Sequence, residues 1–358
     1  MSRRVRGVLA AVLVTIVVGL AWAGTATAGG AADPATATAA PDASEPKMTI
    51  AQAAILGVVE GVTEYLPVSS TGHLLVTQRL MDIGTTEADK TAADAYAVVI
   101  QLGAILAIVI LYWSRLMSLV RGLVGRDAEG RRVLIGVVVA FVPAAVIGVA
   151  GESTIKDVLF GAWPVVAAWF VGGVALLIMV RVGILPTGDG DEPLSTDEDD
   201  AADMMESIIV ADDDPGRQKR TRVALGMITP QQALIIGLAQ CLAMWPGTSR
   251  SLVTIVAAVL VGLRLSAAVE FSFLLGLGTL SAATMLDLAK HGGEIVDTFG
   301  VAAPVVGFVA ALVSAVVAVR WMVTYLQRHS LAIFGWYRIG VALLVGVLLV
   351  TGTITSAA

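Results

Sequence analysis

Charge is scarce in this sequence. Asp, Glu, Lys and Arg make up 15% of its 358 residues, against about a quarter in an ordinary soluble domain, which leaves too little polar surface to cover a globule in water. A single cysteine, Cys241, excludes an internal disulfide, and with only three histidines in the chain no His/Cys zinc cluster can be built. Any metal must be held by oxygen. The net charge of −6 argues against a nucleic-acid partner, although 12 of the 29 acidic residues lie in one run, Asp189 to Asp214, which reads as a solvated loop.

What fills the space is apolar. At 57% hydrophobic residues and a mean hydropathy of +0.84, the composition is that of an all-α polytopic membrane protein. Runs of about 20 residues, enough to cross a bilayer, fall near 93–113, 132–151, 163–183, 267–289, 301–323 and 332–355, which gives six transmembrane helices. Two further apolar pieces, about 49–80 and 229–263, are interrupted by Pro67 and by Pro246-Gly247. Proline removes a backbone donor and disfavours helix in the residue before it. Unwound backbone at membrane depth survives only inside protein or beside a water-filled cavity, so each piece reads as a re-entrant helical hairpin.

The ends and loops divide the rest. Residues 1–28, with Arg3, Arg4 and Arg6 before an apolar run, form a signal-like or anchor segment. Cleavage near Ala28, retention as an anchor, and a true start at Met48 all fit that pattern. Residues 29–47 are a low-complexity linker predicted to be disordered. The membrane domain is 48–358, with an acidic cytoplasmic loop over about 184–228. Basic residues cluster after alternate spans, at Arg115 to Arg132, Arg181 with Arg217 to Arg222, Arg264, and Arg320 with Arg328, and mark those sides as cytoplasmic. The first hairpin then enters from outside and the second from inside.

Gln52-Ala-Ala-Ile-Leu-Gly57 also lies over Gln232-Ala-Leu-Ile-Ile-Gly237 at an offset of 180, which sets Glu60 over Gln240, Ser69 over Ser249 and Ser70 over Arg250. Opposite entry with internal similarity predicts an inverted-topology repeat whose broken helices meet near the midplane.

Polar groups are concentrated in those breaks. Glu60 and Glu64, four apart, share a helix face, where like charges repel unless a divalent cation or a proton lies between them. Magnesium suits such a site because it takes few carboxylates and completes its shell with water and phosphate oxygens; calcium is the other hard ion of this kind. Ser69, Ser70 and Thr71 can cap the half-helix after Pro67, whose free N–H groups and positive dipole end suit a phosphate. His73, one turn on, is a candidate acid, base or nucleophile. Arg250 is suited to clamp two phosphate oxygens, or to serve as counter-ion to the glutamates. Gly247 permits close backbone approach, and Ser249 and Ser251 add donors. Glu270, Asp287 and Arg338 read as supporting groups, and Trp113, Trp163, Trp321 and Trp336 as residues of the interfacial belts.

The stretch Glu60-Gly-Val-Thr-Glu-Tyr-Leu-Pro-Val-Ser-Ser-Thr-Gly-His73, followed by Pro246-Gly-Thr-Ser-Arg-Ser251, resembles the bacterial undecaprenyl-diphosphate phosphatase family linked to bacitracin resistance. The likeness runs from Met48 to the C-terminus and takes in Val99 to Gly103 and Glu270 to Leu275. It implies a multi-pass enzyme of the bacterial plasma membrane, its site facing outward, that converts undecaprenyl diphosphate to the monophosphate for cell-wall synthesis. Carried over, catalysis falls to Glu60, Glu64, Ser70, His73 and Arg250, and a divalent cation to Glu60 and Glu64. Substrate binding falls to Ser69, Thr71, Gly247, Thr248, Ser249, Arg250 and Ser251. Serine, histidine and water all remain open as the attacking group. Implied partners are the polyprenyl diphosphate and membrane lipids, with a homodimer compatible and no nucleic acid. The segment before Met48, the acidic stretch Thr187 to Asp214, and Leu252 where a glycine often follows Ser-Arg-Ser depart from the family pattern. A polyprenyl-phosphate transporter or flippase is the alternative, since inverted repeats with broken helices are also a transporter architecture.

Overall fold

In the computed structural model the described residues are 48–84, 87–159, 161–186 and 224–354, and within 87–92, 151–159 and 289–298 the backbone alone is described. The signal-like segment, the linker and the centre of the acidic loop lie outside them. The described residues form eleven α-helices: α1 Ile50–Thr63, α2 Ser70–Leu80, α3 Glu87–Leu111, α4 Trp113–Leu123, α5 Ala128–Leu159, α6 Ala162–Arg181, α7 Pro230–Gln240, α8 Arg250–Leu260, α9 Leu265–Phe299, α10 Ala302–Arg328 and α11 Ala332–Val350. Six of them, α3, α5, α6, α9, α10 and α11, are long and apolar enough to cross a membrane.

The helices differ from the sequence reading in detail. The connection after the first span is itself helical: α4 places Arg115 and Arg121 on a short helix, with Arg126 in the turn that follows. α5 continues past Pro143 without a break.

The remaining four helices are two broken pairs. α1 and α2 have 14 and 11 residues, about 21 and 16 Å at 1.5 Å per residue, too short to cross about 30 Å of hydrocarbon. The same holds for α7 and α8, each of 11 residues. Three candidate spans, α3, α5 and α6, lie between the pairs, the odd number that entry from opposite faces requires.

The repeat extends to single atoms. Thr49 and Thr229 each head a reciprocal capping box: Gln52 N donates to Thr49 Oγ1 at 3.2 Å while Gln52 Oε1 accepts from Thr49 N, and Gln232 does the same with Thr229. The same glutamines donate Nε2 to Met81 O and to Val261 O, again 180 apart. A methyl group at Gly57 would lie 2.3 Å from Gly307 O, and one at Gly237 would lie 2.3 Å from Ala140 O. Packing follows this pattern, α1 against α10 and α7 against α5, while α6 packs on α11 and α3 on α9. The core between them is built from Tyr65, Ile108, Ile236, Ile255, Phe271 and Phe273, all below 1% exposed.

Candidate active site

The two breaks meet. α1 ends at Thr63, but Glu64 keeps helical geometry and donates its N–H to Glu60 O, so the two carboxylates stand one turn apart on one face. Both are buried, at 1% and 8% exposure. Two ionised carboxylates one turn apart on a helix repel, so the pair calls for a proton or a cation between them. Glu64 spends both oxygens: Oε2 accepts from Ser70 Oγ and Oε1 accepts from Arg250 Nη2 at 3.1 Å. Glu60 Oε2 is buried without a partner.

Arg250 opens α8 and reaches across to the first pair. Its guanidinium lies over the Tyr65 ring, 5.8 Å from the centroid, and Nη1 donates to Ser272 O at 3.2 Å. Nε is buried and unpartnered. The room for this side chain comes from Gly276 on α9, where a methyl group would stand 2.0 Å from Nη1. Arg250 O accepts from Thr254 Oγ1 at 2.8 Å, and that hydroxyl in turn pairs with Ser272 Oγ.

Each break ends in a strained serine. Ser69 has φ 73° and Ser249 φ 74°, the left-handed region, which costs a residue with a Cβ roughly 1–2 kcal/mol. Ser249 still caps its helix by accepting from Leu252 N at 3.3 Å, whereas Ser69 makes no side-chain cap. The first N–H groups of α2 are therefore left facing the break, the end of a helix at which an anion is favoured. Ser251 Oγ donates to Leu66 O at 2.9 Å and ties the second pair to the first; Ser249 Oγ lies 3.0 Å from Ser251 Oγ. Gly247, at φ 93°, passes so close to α6 that a methyl group would lie 2.8 Å from Val165 O. Thr71 is exposed and Thr248 half-buried, and neither makes a side-chain hydrogen bond among the described residues.

His73 is turned away from the carboxylates. Its Nδ1 lies 2.7 Å from Ser69 O and its Nε2 2.9 Å from Tyr337 OH. The ring stacks on Tyr337 with centroids 5.7 Å apart and leans on Trp169 at 4.9 Å. Its partners are thus the strained cap and two aromatic residues, and no hydrogen bond joins it to Glu60, Glu64 or Arg250 among the described residues.

Several residues here carried little or no signal in the sequence. Trp169 is fully buried and donates Nε1 to Val68 O at 2.9 Å. Gly276 and Ser272 seat Arg250, and Tyr337 holds His73. Arg338, read as a support, is wholly buried and donates to carbonyls of both breaks; an arginine within an apolar span was the one cue to it.

Residues 53–344 match the family described as Bacitracin resistance protein BacA. The chain belongs to that family. The BacA match opens at Ala53 in α1 and closes at Leu344 in α11, so it encloses both breaks and every side chain of the site. Among curated relatives, the undecaprenyl-diphosphatase of Sorangium cellulosum is 42% identical over 295 residues, covering 82% of this chain and 84% of its own length. That of Bradyrhizobium diazoefficiens is 41% identical over 289 residues, covering 80% of this chain and 93% of its own. The undecaprenyl-diphosphatase 2 of Rhodospirillum rubrum is 39% identical over 295 residues, with 82% and 93% covered.

Proposed function

We propose that this chain hydrolyses undecaprenyl diphosphate to undecaprenyl phosphate and inorganic phosphate, on the outer face of the bacterial plasma membrane. It thereby returns the lipid carrier to cell-wall synthesis and confers bacitracin resistance. The observation that carries this reading is the position of Glu64, bonded to Ser70 in its own half-helix pair and to Arg250 from the other. The names of the BacA relatives supply the substrate.

Ser70 Oγ attacks the terminal phosphorus as Glu64 Oε2 takes its proton. The bond from that phosphorus to the bridging oxygen breaks, and undecaprenyl phosphate leaves with the electron pair. Water then attacks the phosphoserine, Glu64 returns its proton to Ser70 Oγ, and phosphate departs. Arg250 and the N–H groups at the start of α2 hold the equatorial oxygens, where positioning and charge provide most of the rate in phosphoryl transfer. His73 bonds the Ser69 carbonyl and thereby orients those N–H groups.

Glu60 and Glu64 fit a hard divalent cation, magnesium or calcium. Glu60 Oε2 is buried without a partner, an oxygen such an ion would satisfy. Glu60 and Glu64 would hold such an ion, and it would supply neutralisation of the charge on the diphosphate.

The test is phosphate release from undecaprenyl diphosphate by purified protein, with and without a chelator. Release abolished by chelation, and reduced about 10³-fold or more in Arg250→Ala, is the expected result. Movement of labelled lipid across liposomes with no phosphate formed would replace this reading by a polyprenyl-phosphate transporter.

A further inference from the structure

Among the described residues, Arg338 is costly to bury unless it serves the site. It is 0% exposed, it sits in a span, and it forms no ion pair among the described residues. A buried cation without a carboxylate keeps most of its desolvation cost, and an apolar side chain of similar volume would be cheaper. All its acceptors are main-chain carbonyls. Nη2 donates to Gly247 O and to Ala168 O, both at 2.9 Å, and Nη1 to Pro67 O at 3.5 Å. Pro67 and Gly247 are the same position of the repeat, 180 apart. Each lies where a helix has stopped, with a carbonyl that no following turn uses.

One planar guanidinium therefore touches the equivalent point of both breaks and a third point on α6. Three residues after Pro67 comes Ser70, and three after Gly247 comes Arg250. The neighbouring residue, Tyr337, bonds His73, so the same turn of α11 supports α2 as well. Trp169 makes a comparable contact, to Val68 O, but to one break alone.

We propose that Arg338 is a positioning residue for the reaction: its fork fastens the two breaks to each other and sets the distance and register between Ser70 with Glu64 on one side and Arg250 on the other. The proposal rests on the phosphatase reading above. A lysine keeps the charge but offers a single point that cannot join both carbonyls. Gly172 gives a second handle that leaves Arg338 and both breaks in the sequence intact. Its Cβ, if present, would lie 2.4 Å from Arg338 Nη2 and 3.1 Å from Cζ, so Gly172→Ala displaces the guanidinium while favouring the α6 helix.

The experiment measures kcat, KM and unfolding temperature in detergent for wild type, Arg338→Lys, Gly172→Ala and Trp169→Phe. A misplacement of about 1 Å costs roughly 10²-fold. The expected result is a kcat lowered about 10²-fold in Arg338→Lys and about 10-fold in Gly172→Ala. In both, KM stays within about threefold, the unfolding temperature is close to wild type, and the loss exceeds that in Trp169→Phe. Wild-type kcat in folded Arg338→Lys or Gly172→Ala overturns the proposal, and so does a loss of kcat that only follows loss of folded protein. Wild-type protein that releases no phosphate at all sinks the phosphatase reading, and the proposal with it.

Discussion

Thr49–Leu80 and Thr229–Leu260 share a capping box, a second helix of 11 residues, a close-packed glycine and a serine at positive φ. Yet the first carries Glu60, Glu64 and Ser70 where the second carries Gln240, Met244 and Arg250. A backbone made twice has been given two different chemical tasks. Had both copies kept the acids, four carboxylates would converge at one point; had both kept the arginine, two cations would face each other. Divergence at three positions turns a repulsive pair into a complementary one, and Glu64 with Arg250 is the bond across which that complementarity is expressed.

The comparison can be broken at its chemistry or at its scaffold. The largest effect is expected at Ser70, the hydroxyl that its counterpart, Arg250, does not supply. Ser70→Ala should lower phosphate release by about 10⁴-fold or more, as loss of a nucleophile does, while lipid binding persists. Turnover within about tenfold of wild type would pass the attack to water or to His73. Arg250→Ala, about 10³-fold down, tests the other half.

A scaffold change should instead hit both copies alike. Gly57→Ala and Gly237→Ala each force a methyl group against a carbonyl oxygen 2.3 Å away, and overpacking of this kind costs about 1–3 kcal/mol. Both variants should lose unfolding temperature by similar amounts in detergent. A loss in one alone would mean that the two halves are not mechanically equivalent. The smallest effect is expected for Tyr337→Phe, which removes one hydrogen bond from His73 at about 1 kcal/mol, or roughly a fivefold fall in kcat. A fall comparable with that of Ser70→Ala would restore His73 as a direct participant.

Much of this organisation could be read from residues alone. The six spans are legible because length and hydropathy suffice to define them, and the breaks because proline leaves a local mark at Pro67 and Pro246. The offset of 180 was legible because polar residues in apolar text stand out. What stayed hidden has partners far away in sequence. Arg338 meets carbonyls 91, 170 and 271 residues distant, and nothing near it announces them. Trp169 and Gly276 look like ordinary span residues until Val68 and Arg250 are placed beside them. Ser69 and Ser249 adopt a backbone that serine does not prefer, imposed by packing. The turn of His73 toward Tyr337 depends on a helix 264 residues later.

The fastening of both breaks to α11 has a consequence for biogenesis. As the ribosome delivers this polypeptide, the carboxylates arrive first, the guanidinium of α8 much later, and the fork that aligns them last of all. A nascent chain already seated in the bilayer with the first ten of the described helices therefore has every reacting group but not the fork that aligns them. With Arg338 in its proposed role, full turnover waits until α11 has packed against α6, so the order of synthesis itself holds half-assembled copies to a small fraction of the finished rate.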